Sequence, residues 1–176
     1  SRLRRPSGWW RRALRKAFRF DDTVLAEAYV DGHEIAVGVL DGEPLPVIEI
    51  VPPADRMFDY DAKYDHKLGH TRYLCPPRHV SAAAQERARR YAAGCFRVLG
   101  ARDMLRVDFI VDSRGEPWVL EANSIPGFTA TSLLPKAAEA AGISFVELCA
   151  RLAAANAGMV TQPLPTDTVQ TGRIRC

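Results

Sequence analysis

The stretch Arg106-Val-Asp-Phe-Ile-Val-Asp112, Ser-Arg-Gly115, Glu-Pro-Trp-Val-Leu-Glu-Ala-Asn123 decides the architecture. Two runs rich in β-branched and aromatic residues flank a short polar turn, which is the pattern of a β-hairpin. With Ser113 and Arg114 as a two-residue loop, Asp112 faces Gly115, Arg106 opposes Glu121 and Asp108 opposes Val119. Side chains alternate between the faces of a strand, so Val107, Phe109, Val111, Trp118, Leu120 and Ala122 share an apolar side that must be core. The other side gathers Arg106, Asp108, Glu121 and Asn123. Two carboxylates and an amide oxygen beside an arginine suit a hard cation such as magnesium, which would bridge phosphate oxygens. The same four residues also suit a solvated sheet surface carrying cross-strand ion pairs, and the hairpin alone does not choose between these readings.

Before the hairpin, Ser81 caps an alanine-rich helix reaching Leu99, closed by Gly100. A helix from Leu134 stops at Gly142, and Ser144 with Glu147 forms a capping box for a helix through Ala155. Upstream, Trp9 to Phe20 reads as a helix, and Val24–Tyr29 and Glu34–Leu40 as strands turned by Gly32. Leu45–Val51 is extended, with Pro44, Pro46 and Pro52 arguing for an edge or irregular strand. Residues 53–79 lack a sustained period and read as a long loop with extended pieces, of the kind that often carries function, in which His66 and His70 are surface groups. The expected organisation is a basic segment over 1–20, a folded domain over 21–156 and a flexible tail over 157–176, without internal repeats.

A chain of 176 residues, 47% apolar, can bury a sizeable core. No apolar run is long enough to cross a bilayer and no secretory pattern opens the chain. Cys75, Cys95, Cys149 and Cys176 are spaced for neither a zinc site nor a disulfide framework, and are expected as thiols of a cytoplasmic protein. The net charge of +3 is uneven: residues 1–20 hold eight basic groups and no acid. With Trp9, Trp10, Leu14 and Phe18 interleaved, that segment reads as a solvated helix face, or else as a transit peptide or a surface for membrane or nucleic acid.

The hairpin continues as Glu121-Ala-Asn-Ser-Ile-Pro-Gly-Phe-Thr-Ala-Thr-Ser-Leu-Leu-Pro135. Together with Arg106-Val-Asp108, Phe58-Asp-Tyr-Asp-Ala-Lys-Tyr64, Glu27-Ala-Tyr-Val30, Gly32-His-Glu34 and Ala141-Gly-Ile-Ser-Phe145, it resembles the D-alanine–D-alanine ligase family of ATP-grasp enzymes over about residues 13–156. The resemblance implies an α+β fold, the carboxyl-terminal ATP-grasp domain, with a mainly antiparallel sheet and helices packed on its apolar face. It implies ATP as cofactor, with two magnesium or manganese ions held by Asp108, Glu121 and Asn123, Glu121 being shared. Glu27 would accept from the adenine amino group, backbone at Tyr29 and Val30 would read the ring edge, and Glu34 would bind ribose. Arg106 and the Gly127 amide would stabilise an oxyanion, while Ser132 and Leu133 at a helix start would receive the second substrate's carboxylate. Lys63 and Tyr64 would lie in a loop closing over the site, with Tyr64 resembling the form that selects D-alanine.

The activity so implied joins two D-alanines through an acyl phosphate for peptidoglycan synthesis, in an intact family that can form homodimers, with neither nucleic acid nor membrane as partner. An amino-terminal domain and a Gly/Ser-rich phosphate loop of the family are not matched; Ser1 to Arg12 carries arginines and tryptophans instead. The expectation is therefore of a carboxyl-terminal portion with weak nucleotide binding and little turnover by itself. Competing readings are a D-alanyl-D-serine or D-alanyl-D-lactate ligase, a non-catalytic nucleotide-binding remnant, and a basic interaction module built on residues 1–20.

Overall fold

The computed structural model describes residues 8–53 and 71–156. They fall into two units, divided between Val30 and Asp31. In the first, helix α1 (Trp9–Ala17) ends in a turn through Phe20, three residues short of the helix expected to reach Phe20. Residues 24–29, expected as a strand, are irregular, with Leu25 and Tyr29 exposed. A strand needs a ladder of partner amides and carbonyls, and no described strand pairs with this segment.

In the second unit an antiparallel sheet contains β1 (Gly32–Leu40), β2 (Glu43–Pro44), β3 (Ile48–Val51), β4 (Arg72–Leu74), β5 (Met104–Asp112) and β6 (Pro117–Asn123). Their order is β4-β3-β1-β5-β6, with β2 pairing β1 at the Asp41-Gly42 turn. Gly32, expected to make a turn, instead opens β1 opposite Asp112. A Cβ there would lie 2.1 Å from the Val111 carbonyl oxygen, so the strands approach too closely for any side chain.

Three helices cover the sheet, on both faces rather than on the single apolar face expected. Helix α2 (Ala82–Val98) is capped by Ser81, whose Oγ accepts from Ala84 N, and lays Ala84, Ala88 and Ala92 against Ile35, Val37, Val39, Val107 and Phe109. A stripe of methyl groups at a spacing of four lets the helix sit close to the sheet. Helices α3 (Leu133–Ala140) and α4 (Phe145–Asn156) bring Leu134, Ala137, Ala138 and Leu148 to the opposite face, onto Leu40, Leu45 and Ile48. Residues Ile35 to Leu40 are consequently buried without alternation, as a strand covered on both sides must be. The Ser144 cap holds, its Oγ accepting from Glu147 N at 3.2 Å.

The hairpin turn differs from the expected two-residue loop. Asp112 N donates to the Glu116 carbonyl and Gly115 N to the Asp112 carbonyl, making a three-residue loop with Gly115 at φ +79°. This is the turn-plus-bulge geometry in which a left-handed residue closes the loop. Asp112 Oδ1 accepts from Arg114 N and Glu116 N, and its Oδ2 accepts from Trp118 Nε1. Beyond the turn, Phe109 pairs with Val119 but Asp108 with Glu121, leaving Leu120 as an extra residue on β6. The loop and the bulge each displace the expected pairing by one residue. Trp118 therefore leaves the expected core side to pair with Ile110, and Trp118 and Leu120 are exposed on the sheet's edge strand.

Candidate functional site

The polar side of the hairpin forms because two displacements of one residue restore the original facing. The expected oppositions, Arg106 to Glu121 and Asp108 to Val119, are replaced by Arg106 to Asn123 and Asp108 to Glu121. Directly paired residues of an antiparallel ladder share a face, so all four side chains stand on one side of the sheet. The Arg106 guanidinium forms a two-pronged fork with Asp108: Nε to Oδ1 and Nη2 to Oδ2, both 2.9 Å. Its Nη2 also lies 3.7 Å from Glu121 Oε1.

Burial grades across the cluster. Side-chain exposure is 17% for Arg106 and 11% for Asp108 but 60% for Glu121, so the inner acid is held by the arginine while the outer one faces solvent. On the adjoining strand, Ala36 pairs with Asp108 and Gly38 with Arg106. These small residues give the acid and the arginine a floor with no polar side chain, where an ionic hydrogen bond is stronger than in water.

Downstream of β6, Thr129 N and Thr129 Oγ1 lie 3.1 and 2.9 Å from Ser132 Oγ, which stands at the amino cap of α3. A Cβ on Gly127 would approach that oxygen to 3.1 Å, so Gly127 and Ser132 are neighbours. Leu133 begins α3 and packs into the second core cluster. The next residue, Leu134, fixes where the helix starts: its Cδ1 would stand 2.9 Å from a Cβ on Gly38, the ladder partner of Arg106. The amino end of α3 therefore sits on the same sheet face as the arginine, one strand away.

Glu34 lies further along that face, paired with Ile110 on one side and Ile50 on the other. Glu27 and Tyr29 are exposed and Val30 half-buried in the first unit. Lys63 and Tyr64, with His66 and His70, lie outside the described residues. What sequence reasoning missed is Glu49, 1% exposed in β3 and on the opposite face from Asp108. A lone acid within Val47-Ile-Glu-Ile-Val51 was its signal. Burial pushes the Glu49 carboxyl up, but the Arg78 and His79 backbone amides at 2.8 and 3.1 Å and the His79 ring outweigh this and hold it below the usual range.

A protein-family model described as the D-ala D-ala ligase C-terminus matches residues 9–154. The chain belongs to this family. A D-alanine–D-alanine ligase of Gloeobacter violaceus is 43% identical over 150 residues, covering 85% of this chain and 49% of the relative. Among solved structures, the Bacillus anthracis D-alanine–D-alanine ligase complexed with ATP superposes with a TM-score of 0.70 at 29% identity, over 88% of this chain and 48% of that one. The VanG D-Ala:D-Ser ligase of Enterococcus faecalis superposes with a TM-score of 0.68 at 29% identity, over 83% and 42%. The chain thus spans about half the length of these family members, and its fold is the carboxyl-terminal ATP-grasp domain that the resemblance implied.

Proposed function

We propose that this chain supplies the nucleotide- and metal-binding half of an ATP-dependent ligase that joins two D-alanines to D-alanyl-D-alanine. The observation that carries the reading is the Asp108–Glu121 ladder pair with Arg106 reaching both acids and Asn123 across from Arg106, within a family of such ligases. The donor set is all oxygen, with one acid accessible and the other fixed, which fits a hard divalent cation better than a zinc-like one. Asp108, Glu121 and Asn123 would hold two magnesium or manganese ions. When bound, they would neutralise the phosphate oxygens of ATP while the first D-alanine carboxylate accepts the γ-phosphoryl group.

The residues of this chain then have separate tasks. Asp108 is oriented by the Arg106 fork and Glu121 is the acid free to turn toward the ligand. With its acids engaged elsewhere, the Arg106 guanidinium would face the oxyanion that develops as the second D-alanine amine attacks the acyl phosphate, assisted by the Gly127 amide. The α3 amino end, with Ser132 and Leu133, would take the second carboxylate, since helix amino termini present unpaired N–H donors. Glu27, with backbone at Tyr29 and Val30, would read adenine and Glu34 the ribose; Lys63 and Tyr64 would close over the reacting groups.

The test is binding of ATP to the 176-residue chain with and without magnesium. Expected is binding that requires the cation and weakens at least tenfold in Glu121→Ala. Cation-independent binding, or binding untouched by that substitution, would sink the proposal. The relation to both a D-Ala and a D-Ser ligase leaves the acceptor to product analysis with mixed amino acids; D-alanyl-D-alanine is the expected product of the whole enzyme.

A further inference from the structure

On the sheet face away from the Asp108 cluster, three potential ligands meet. Glu49 Oε1 lies 2.8 Å from His79 Nδ1 and 3.6 Å from His33 Nδ1, and the ligand atoms of the three residues all lie within 4.8 Å of one another. The two imidazoles stack nearly parallel, 5.6 Å between centroids and 10° between planes. Both direct Nδ1 at the same carboxylate oxygen. His33 comes from the start of β1, Glu49 from β3 and His79 from the turn after β4, so three separate segments converge.

From this arrangement we infer a second cation site, one for a transition-metal divalent ion of the zinc type, with His33 Nδ1, His79 Nδ1 and Glu49 Oε1 as its ligands. Two imidazoles and one carboxylate form a borderline-soft set that favours zinc, cobalt or nickel over magnesium. Bonds of about 2.1 Å at tetrahedral angles place ligand atoms about 3.4 Å apart; the two histidine–carboxylate separations, 2.8 and 3.6 Å, bracket that value, and every separation lies within 4.8 Å. The carboxylate is already fixed: its Oε2 accepts from the Arg78 and His79 backbone amides, leaving Oε1 to point between the rings. Such outer hydrogen bonds orient a ligating group before the metal arrives. The histidine side chains are 51% and 54% exposed, which leaves an entry path and a fourth position for water. In the metal-free protein His79 donates Nδ1–H to Glu49; on binding, that proton moves to Nε2 or to solvent and the nitrogen lone pair takes the ion.

The experiment titrates the 176-residue chain with zinc and with cobalt in saturating magnesium, so that the oxygen-only cluster is occupied. Expected are one equivalent bound, tetrahedral cobalt absorption bands and a melting temperature that rises with zinc. His33→Ala and His79→Ala should each weaken binding at least tenfold and remove the thermal shift, whereas Glu121→Gln should leave both unchanged. His33→Ala spares every contact that Glu49 makes with Arg78 and His79, so it stays informative even if His79→Ala does not fold. No saturable binding, binding that survives His33→Ala, or loss of binding in Glu121→Gln would each overturn the assignment.

Discussion

Asp108 and Glu121 face each other directly across the β5–β6 ladder, yet one is buried and the other largely exposed. The inequality follows from position: β5 is flanked on both sides, whereas β6 is the sheet's edge. It also separates the two acids by what each can do, Asp108 as a fixed anchor and Glu121 as the group able to reorient.

Removing the arginine should expose that difference. Arg106→Ala leaves Asp108 as a nearly buried carboxylate without its fork, and loss of one partner of such a pair typically costs about 3 kcal/mol. Denaturant unfolding should show this loss. Millimolar magnesium should recover part of it in the variant, because a bound cation replaces the missing positive charge; a variant as stable as the parent without magnesium would count against the geometry.

Close backbone approach at Gly32 makes a second forecast. Gly32→Ala puts a methyl group 2.1 Å from the Val111 carbonyl oxygen, a clash with backbone that side-chain rotation cannot relieve. The strands must part although Gly32 itself is exposed, at an expected loss of about 3 kcal/mol, the upper end of what an overpacked carbon costs when backbone has to move. A thermal melt comparing Gly32→Ala with Gly94→Ala, whose added Cβ meets nothing within 4 Å, isolates the effect.

The turn predicts a pH dependence. Glu116 N–H leads the hydrogen bonds that hold Asp112 down at about 2, against slight burial, with the Trp118 indole and Arg114 adding to it. A carboxylate depressed in the folded state stabilises fully above its unfolded value, about 3.9, and the contribution disappears as pH falls through 2. The stability gap between the parent and Asp112→Ala should therefore be constant from pH 7 to 5 and narrow from pH 4 to 2. A gap unchanged at pH 2.5 would contradict the assignment.

Gly38 ties packing to the site. Gly38→Val would press on Leu134 and Leu45 and push the first turn of α3 away from Arg106, with an expected destabilisation of about 1–3 kcal/mol. If Ser132 and Leu133 at the start of α3 take the second carboxylate, as proposed, the substitution should raise the whole enzyme's KM for the second D-alanine more than for ATP.

Much of this was legible beforehand. The capped helices and the facing of Arg106, Asp108, Glu121 and Asn123 follow from capping residues and alternation, whereas the mainly antiparallel sheet was implied by the family resemblance. The register did not, because parity survives two compensating displacements. Reading Asp112-Ser-Arg-Gly115 as the turn, with Gly115 left-handed, was available from the glycine; the extra Leu120 was not, since no residue type marks it. The strand expected at 24–29 failed because strands are made by partners as much as by propensity. Glu49 is not legible in the sequence because alternation accounts for an acid in a strand by exposure, whereas backbone amides from a distant turn satisfy it in the interior.

The Arg106–Asp108 fork lies within a single interior strand, while Glu121 and Asn123 ride on the outermost one. Half of the cluster is thus permanent scaffolding and half can fray with the sheet's margin. An ion gripping both halves, as proposed, would act as a rivet. By thermodynamic reciprocity, whatever tightens the margin strengthens the grip, and amide protons of residues 117–123 should exchange more slowly in proportion to occupancy.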